Sequence, residues 1–339
     1  MTSLTDDKDN LSRKKGLAMI EGSGYTGVPT ADYEDDRAEK PWQRVPSSLI
    51  ILVLGVYLLL GYLAQLVEDD MPAVVKEATV AADDSVTFSE EAAWRYLDQI
   101  VGDEPRVAGT PYHYEKTRDM KALVDGIAAQ AHQVVRTDWQ LATGDYYRKT
   151  SAPFVNCYQN ASNIIALLEG ESGFHSNGTI GSSILLNCHY DSVPYALGAS
   201  DDAVFCAVMA ETLNKLSRRT SKFKHNIVFL FNGAEENPLQ ASHAFLDHPW
   251  SKGITTVVNF DAAGMNGKPA VFQVTDPRVL DAYKRTVRRP NAQSLGQFLF
   301  TSGLIPSDTD FRIWRDFGDI QGVDIAFTKW GHVYHTRYD

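Results

Sequence analysis

Cysteine is scarce in this chain of 339 residues: Cys157, Cys188 and Cys206 are too few and too scattered for a disulfide framework or a cysteine-based zinc module. At most one bridge can form. Cys188 sits in an apolar run and Cys206 in an amphipathic one, so both read as buried small hydrophobes. A basic surplus is also missing. The formal net charge of -11 gives no footprint for a phosphate backbone, which argues against nucleic-acid binding. No His-Glu-x-x-His helix motif, no phosphate loop with Gly-Lys-Ser/Thr and no Gly-x-Ser-x-Gly elbow occurs, which removes the commonest competing hydrolase and nucleotide readings. There is no internal repeat of fixed period.

A hydrophobic content of 44% over this length supports one large α/β domain or two modest ones. Residues 1–45 are polar and charged, without sustained apolar periodicity, and read as a disordered cytosolic tail. Gly22, Gly24 and Gly27 carry the glycine spacing of a dinucleotide fingerprint but lack its strand and helix, so they read as linker. Residues 46–67 hold the uncharged run Leu49–Val67, bounded by Arg44 and by Glu68-Asp69-Asp70, and are expected to cross a lipid bilayer as one helix. Arg37, Lys40 and Arg44 precede the run and only Lys76 follows closely. The N-terminus is therefore expected in the cytosol and the remainder in a lumen or outside. Asn160-Ala161-Ser162 and Asn177-Gly178-Thr179 offer N-glycan acceptors on that side.

Residues 68–87 read as linker and 88–339 as the folded domain. Ser89 to about Gln130 reads as helix, loop and helix, broken at Glu104–Thr110. Apolar runs at Asn163–Leu168, Ile184–Asn187, Ile227–Phe231, Thr255–Phe260 and Ala270–Val274 have strand length and composition, with amphipathic stretches between several of them. The expected fold class is α/β: a mixed, largely parallel sheet flanked by helices.

Chemistry-bearing side chains gather where these strands end. His189 and Asp191 follow Ile184–Asn187, Glu235-Glu236 follow Ile227–Phe231, and Asp261 closes Thr255–Phe260. Carboxyl ends of strands form the ligand crevice of open α/β sheets, so three segments bring metal-type ligands to one edge. Asp201-Asp202 opens a helical stretch and reads either as a further ligand or as a simple N-cap. Carboxylates and imidazoles without cysteine suit zinc, and bridging carboxylates suit a pair of metals. Adjacent carboxylates such as Glu235 and Glu236 are costly unless one binds metal and the other exchanges a proton with water.

In order along the chain, His189-Tyr190-Asp191-Ser192, Gly198-Ala199-Ser200-Asp201-Asp202, Gly233-Ala234-Glu235-Glu236, Asn259-Phe260-Asp261 and Val333-Tyr334-His335-Thr336 together resemble the dizinc aminopeptidase and glutamate-carboxypeptidase family. The resemblance runs from about Phe88 to Asp339. It implies two zinc ions per chain, with Asp201 bridging, His189 and Asp261 completing one site, and Glu236 and His335 the other. It further implies Glu235 as general base, Asp191 as the partner fixing the His189 tautomer, and Tyr334 as a stabiliser of the oxyanion. His332 rivals His335 as a ligand, and the Tyr-His pattern favours His335. The other histidines, among them His113, His243 and His248, read as packing or surface residues.

The implied activity is removal of terminal residues from peptides, most simply as an aminopeptidase, in an endoplasmic reticulum membrane or another endomembrane such as the vacuole's. A further helix usually follows the last ligand in this family, so the domain is expected to be incomplete at its C-terminus. Two other readings share the fold: a silent peptidase-like binding module and a single-zinc enzyme of glutaminyl cyclase type.

Overall fold

Residues 44–81, 84, 86–148, 153–305 and 307–339 are described by the structure, a computed structural model. The expected tail therefore lies outside the described residues up to position 43. The chain divides into two units, residues 1–58 and 59–339. Helix α1 (Ser47–Glu68) carries no charge before its last residue, and none of its side chains is buried. Its 22 residues rise about 33 Å, so it is long and apolar enough to cross a hydrocarbon layer.

Two further helices follow, α2 (Glu90–Val101) and α3 (Pro111–Ala129), broken where the turn-rich segment predicts. Ser89 caps α2 by accepting the Ala92 N–H, and Thr110 caps α3 through the His113 N–H, with Pro111 at the tolerated first helical position. The sheet has seven strands: β1 (Val135–Arg148), β2 (Phe154–Leu168), β3 (Ser183–His189), β4 (Asn226–Asn232), β5 (Ile254–Ala262), β6 (Ala270–Val274) and β7 (Gln321–Phe327). Their spatial order is β1-β2-β4-β3-β5-β7-β6. The four central strands β4, β3, β5 and β7 run parallel, while β1, β2 and β6 are antiparallel to their neighbours. This is the expected mixed, largely parallel sheet, and each expected apolar run lies in a strand.

Successive residues of a strand face opposite ways, and β4 uses both faces for core. Val228 and Leu230 join Phe245 of α5 (Gln240–Phe245) and Phe311, Ile313 and Trp314 of α8 (Phe311–Asp316). Phe229 and Phe231 pack with Met120 and Val124 of α3 and Met209 and Leu213 of α4 (Val204–Leu216). The result is three layers, with helices on both faces of the sheet. Helices α6 (Pro277–Thr286) and α7 (Ser294–Thr301) cover the β6 side.

Two strands escape sequence reading. β1 alternates half-buried and exposed residues, and β7 interrupts its apolar run with Gly322 and Asp324. Gly322 is required by close approach: a Cβ there would sit 2.0 Å from the Val257 carbonyl oxygen. One cysteine reading is corrected. Cys188 and Cys206 are both buried, as expected, but they are not separate hydrophobes: they form a disulfide with Cα atoms 5.5 Å apart, joining the end of β3 to the start of α4.

Asp324 is fully buried and accepts hydrogen bonds from Asn259, Gln273 and Thr309. Burial nevertheless pushes its carboxyl up to about 7. The folded chain thus keeps a proton that the unfolded chain has lost, and this group weakens the fold as pH rises from the ordinary 3.8 to about 7. Asp324→Asn in metal-stripped protein should flatten that decline; melting curves with equal pH slopes for both proteins would refute it.

Candidate metal centre

His189 is the last residue of β3, and its neighbour across the parallel ladder is Asn232, the last of β4. Asp261 is the penultimate residue of β5, and Glu235 and Glu236 sit in the loop leaving β4. Asp201 lies in the irregular turn Ala199–Ala203 before α4, and His335 in the segment after β7. Two groups of potential ligand atoms result: His189, Asp201 and Asp261, and Asp201, Glu236 and His335, each within 4.8 Å. Asp201 belongs to both. His335 Nε2 is 2.9 Å from Asp201 Oδ2 and 3.0 Å from Glu236 Oε1, while His189 Nε2 is 3.4 Å from Asp201 Oδ1.

The local backbone explains this convergence. Gly198 adopts φ +60°, which favours glycine, and turns the chain into the Asp201 segment. Asp201 and Asp202 have non-helical angles, and no side chain caps α4, so the N-cap reading of this pair falls. Asp202 Oδ2 instead accepts the His189 N–H at 3.2 Å. Asp191 accepts the N–H groups of Glu235 and Glu236 at 3.0 and 3.1 Å, which shapes the loop carrying both glutamates. Its carboxylate is 3.5 Å from His189 Nδ1, whereas its own main-chain oxygen is 3.3 Å away. The carboxylate therefore touches both the expected imidazole and, more closely, the glutamate loop. Tyr334 stacks on the His335 ring at 3.7 Å, and His332 is exposed.

Several supporting residues gave no signal in the sequence. Arg106, fully buried, donates to the carbonyls of Tyr190, Val101, Leu197 and Gly198, and so clamps the loops on either side of Asp201 and His189. Asp310 Oδ2 accepts from Asn187 and Asn232 and ties β3 to β4 beneath the ligands. Asp339 Oδ1 accepts from Ser200 and from the Asp201 N–H.

Electrostatics marks the same side chains. Burial raises Glu235 well above the carboxylate range, with Asp261, Asp310 and Glu236 adding repulsion. Burial likewise raises Asp261 and Glu236. Burial works to raise Asp201 too, but the His189 and His335 imidazoles beside it overcome this and leave the carboxyl low. Burial opposes charge on His335, whose contacts with Asp201 and Glu236 win and push it up to about 10. Burial pushes the Tyr334 hydroxyl up, aided by the surrounding carboxylates. His189 Nε2, Asp201 Oδ1 and Glu236 Oε1 are buried and make no well-aligned hydrogen bond, their only close polar neighbours being one another and His335 Nε2. Unpaired atoms of this kind, in a set of imidazoles and carboxylates, fit a borderline cation such as zinc.

A cavity of about 290 Å³ opens beside the centre. Glu235, Asp261 and Tyr334 line one side, and Phe272, Leu299 and Phe300 the other.

A layered α/β domain with such a centre at its strand ends is that of a metal-dependent hydrolase. Residues 163–339 match peptidase family M28, and the chain belongs to that family. It is 40% identical over 294 residues to endoplasmic reticulum metallopeptidase 1 of Mus musculus, covering 85% of this chain and 32% of that protein. It is 33% identical over 204 residues to the vacuolar membrane protease of Yarrowia lipolytica, covering 60% of this chain and 20% of that one. The chain thus spans about a third or less of the curated relatives it matches. Among solved structures, the Legionella pneumophila LapA aminopeptidase superposes with TM-score 0.55 at 17% identity, covering 80% of this chain and 70% of that one. A zinc aminopeptidase from Bacillus subtilis gives 0.51 at 14%, covering 74% and 89%. A glutaminyl cyclase from Bacteroides thetaiotaomicron gives 0.53 at 16%, also covering 74% and 89%. These structures share the fold.

Arg106→Met keeps much of the side-chain volume but strands four carbonyls, those of Tyr190 and Gly198 in buried contacts. It should cost on the order of 3 kcal/mol or more of stability. Urea unfolding checks this, and a midpoint like that of the unmodified chain would refute the clamp.

Proposed function

We propose that the chain is a membrane-anchored zinc exopeptidase, an aminopeptidase in the simplest case, whose two metals share Asp201. The observation that carries this reading is the pair of ligand groups meeting at Asp201, with unpaired atoms on His189, Asp201 and Glu236. His189 and Asp261 would complete one site, Glu236 and His335 the other. Zinc at these positions would supply Lewis acidity toward a peptide carbonyl and toward water.

The chain's own groups supply the rest. Glu235, next to Glu236 and buried, has its carboxyl raised by burial, and a more basic carboxylate suits a group that takes a proton from water and returns it to a departing amine. Asp191 holds it there by gripping both loop N–H groups. Tyr334 remains protonated and available as a donor to a developing oxyanion. The apolar wall of Phe272, Leu299 and Phe300 favours a terminal residue with an apolar side chain.

Glu235→Gln should retain metal and lose peptide hydrolysis by about 10²-fold or more. Metal analysis alongside turnover of a peptide library tests both halves. Two zincs per chain with chelator-sensitive release of terminal residues supports the reading. One zinc with cyclisation of N-terminal glutamine supports the cyclase type, and full turnover by the variant removes Glu235 from its role.

Anchoring through α1 with the domain on the lumenal side fits the charge bias before the helix and the endomembrane names of the relatives. Asn160 and Asn177 are both exposed and available for glycans. Expression in a secretory eukaryotic host should give a chain that loses two glycans on peptide-N-glycosidase treatment, one step being abolished by Asn160→Gln and one by Asn177→Gln. An unshifted band would refute lumenal exposure.

A further inference from the structure

The start of the linker is held against the domain by basic side chains. Lys268 Nζ donates to the Val67 carbonyl at 2.7 Å, Lys329 pairs with Glu68 at 3.2 Å, and Arg289 grips Asp70 at 2.8 and 3.2 Å. Beside these contacts lies a groove of about 430 Å³, separate from the metal centre. Its apolar surface comes from Met71, Phe205, Phe260 and Val287, and its rim carries Lys268, Arg288 and Arg289.

Charge at the rim is left over. Asp70 offsets Arg289, but Lys268 ends on a neutral carbonyl, and Arg288 is exposed without an ion-pair partner among the described residues. An apolar trough under Arg288, which has no ion-pair partner among the described residues, and Lys268, which shares with Arg289 the single charge of Asp70, matches an amphiphile with an anionic head. Inorganic phosphate would use the rim and leave the trough wet, whereas an acyl chain would bury it. The position matters equally, because the groove adjoins the residues where the chain leaves the apolar helix, Val67 to Asp70. Basic residues next to a membrane segment attract anionic lipid.

We propose that this groove binds one anionic phospholipid of the bilayer, with an acyl chain against Phe205 and Phe260 and the headgroup phosphate on Arg288 and Lys268. The proposal rests on the anchoring reading of α1. Bound lipid would hold the domain at a fixed attitude to the membrane and steady the linker at Met71.

The full chain, purified in nonionic detergent, can be examined by native mass spectrometry with dioleoyl phosphatidylserine or dioleoyl phosphatidylcholine, which share their acyl chains. One phosphatidylserine should be retained, with a preference of about tenfold over phosphatidylcholine. Arg288→Glu should weaken phosphatidylserine retention at least about fivefold and spare phosphatidylcholine, while Val287→Asp should weaken both. Lys224→Glu, an exposed charge on another surface, should change neither. Equal retention of the two lipids, no effect of Arg288→Glu, or displacement by millimolar inorganic phosphate would each overturn the groove. Flotation with phosphatidylcholine vesicles reads the anchor separately. A chain that floats yet shows no lipid preference refutes the groove alone, and a chain that does not float refutes the anchor and this proposal with it.

Discussion

Four carboxylates, those of Asp201, Glu235, Glu236 and Asp261, meet at one edge of the sheet, three of them buried and the fourth half-buried. Like charges at such range cannot all stay ionised without a cation, so the edge is tolerable only with protons, imidazolium groups or metal ions in it. The surrounding structure avoids satisfying the inward-facing atoms. The nearby backbone N–H groups are taken by other acids: Asp191 serves the glutamate loop, Asp202 serves His189 and Asp339 serves Asp201. The atoms that face inward on His189, Asp201 and Glu236 are left without partners. A domain that isolates its acidic atoms while neutralising the backbone around them is arranged to hold cations.

The sheet order makes this possible. Parallel β4, β3 and β5 end side by side, so that residues distant in sequence share one rim. Asp310 from α8 crosses beneath and fastens β3 to β4, and Arg106 closes the two loops above them. Rigidity at the rim comes from residues that take no ligand position. Substitutions in the clamp would therefore loosen the centre while leaving every candidate ligand in the chain.

Strands β4, β3 and β5 were legible because both their faces are buried, which writes a nearly continuous apolar run. The candidate ligands His189, Glu236 and Asp261 stand out because each follows or closes such a run, whereas Asp201 and His335 were found through the family resemblance. β1 was not, since its alternation of polar and apolar residues over Val135–Arg148 blends with ordinary surface composition. β7 was hidden by Asp324, a buried acid whose partners Asn259, Gln273 and Thr309 come from three other segments. Closeness in sequence points Asp191 toward His189, but it gives no sign of the carboxylate's further contacts with a loop 44 residues away. Long-range hydrogen bonding leaves no local pattern, and this separates the fold, readable from periodicity, from the supports of the centre.

The Cys188–Cys206 bridge spans 18 residues, and His189, Asp191, Asp201 and Asp202 all lie within the ring it closes. Closing a loop of that size removes about 3 kcal/mol of chain entropy from the unfolded ensemble. An opened chain would still carry an imidazole and several carboxylates on one short tether, at an effective concentration that an unbridged segment could not reach. A cation held by His189 and Asp201 would in this sense sit on a chelating macrocycle written into the covalent structure, which would slow its loss during excursions in which the sheet comes apart.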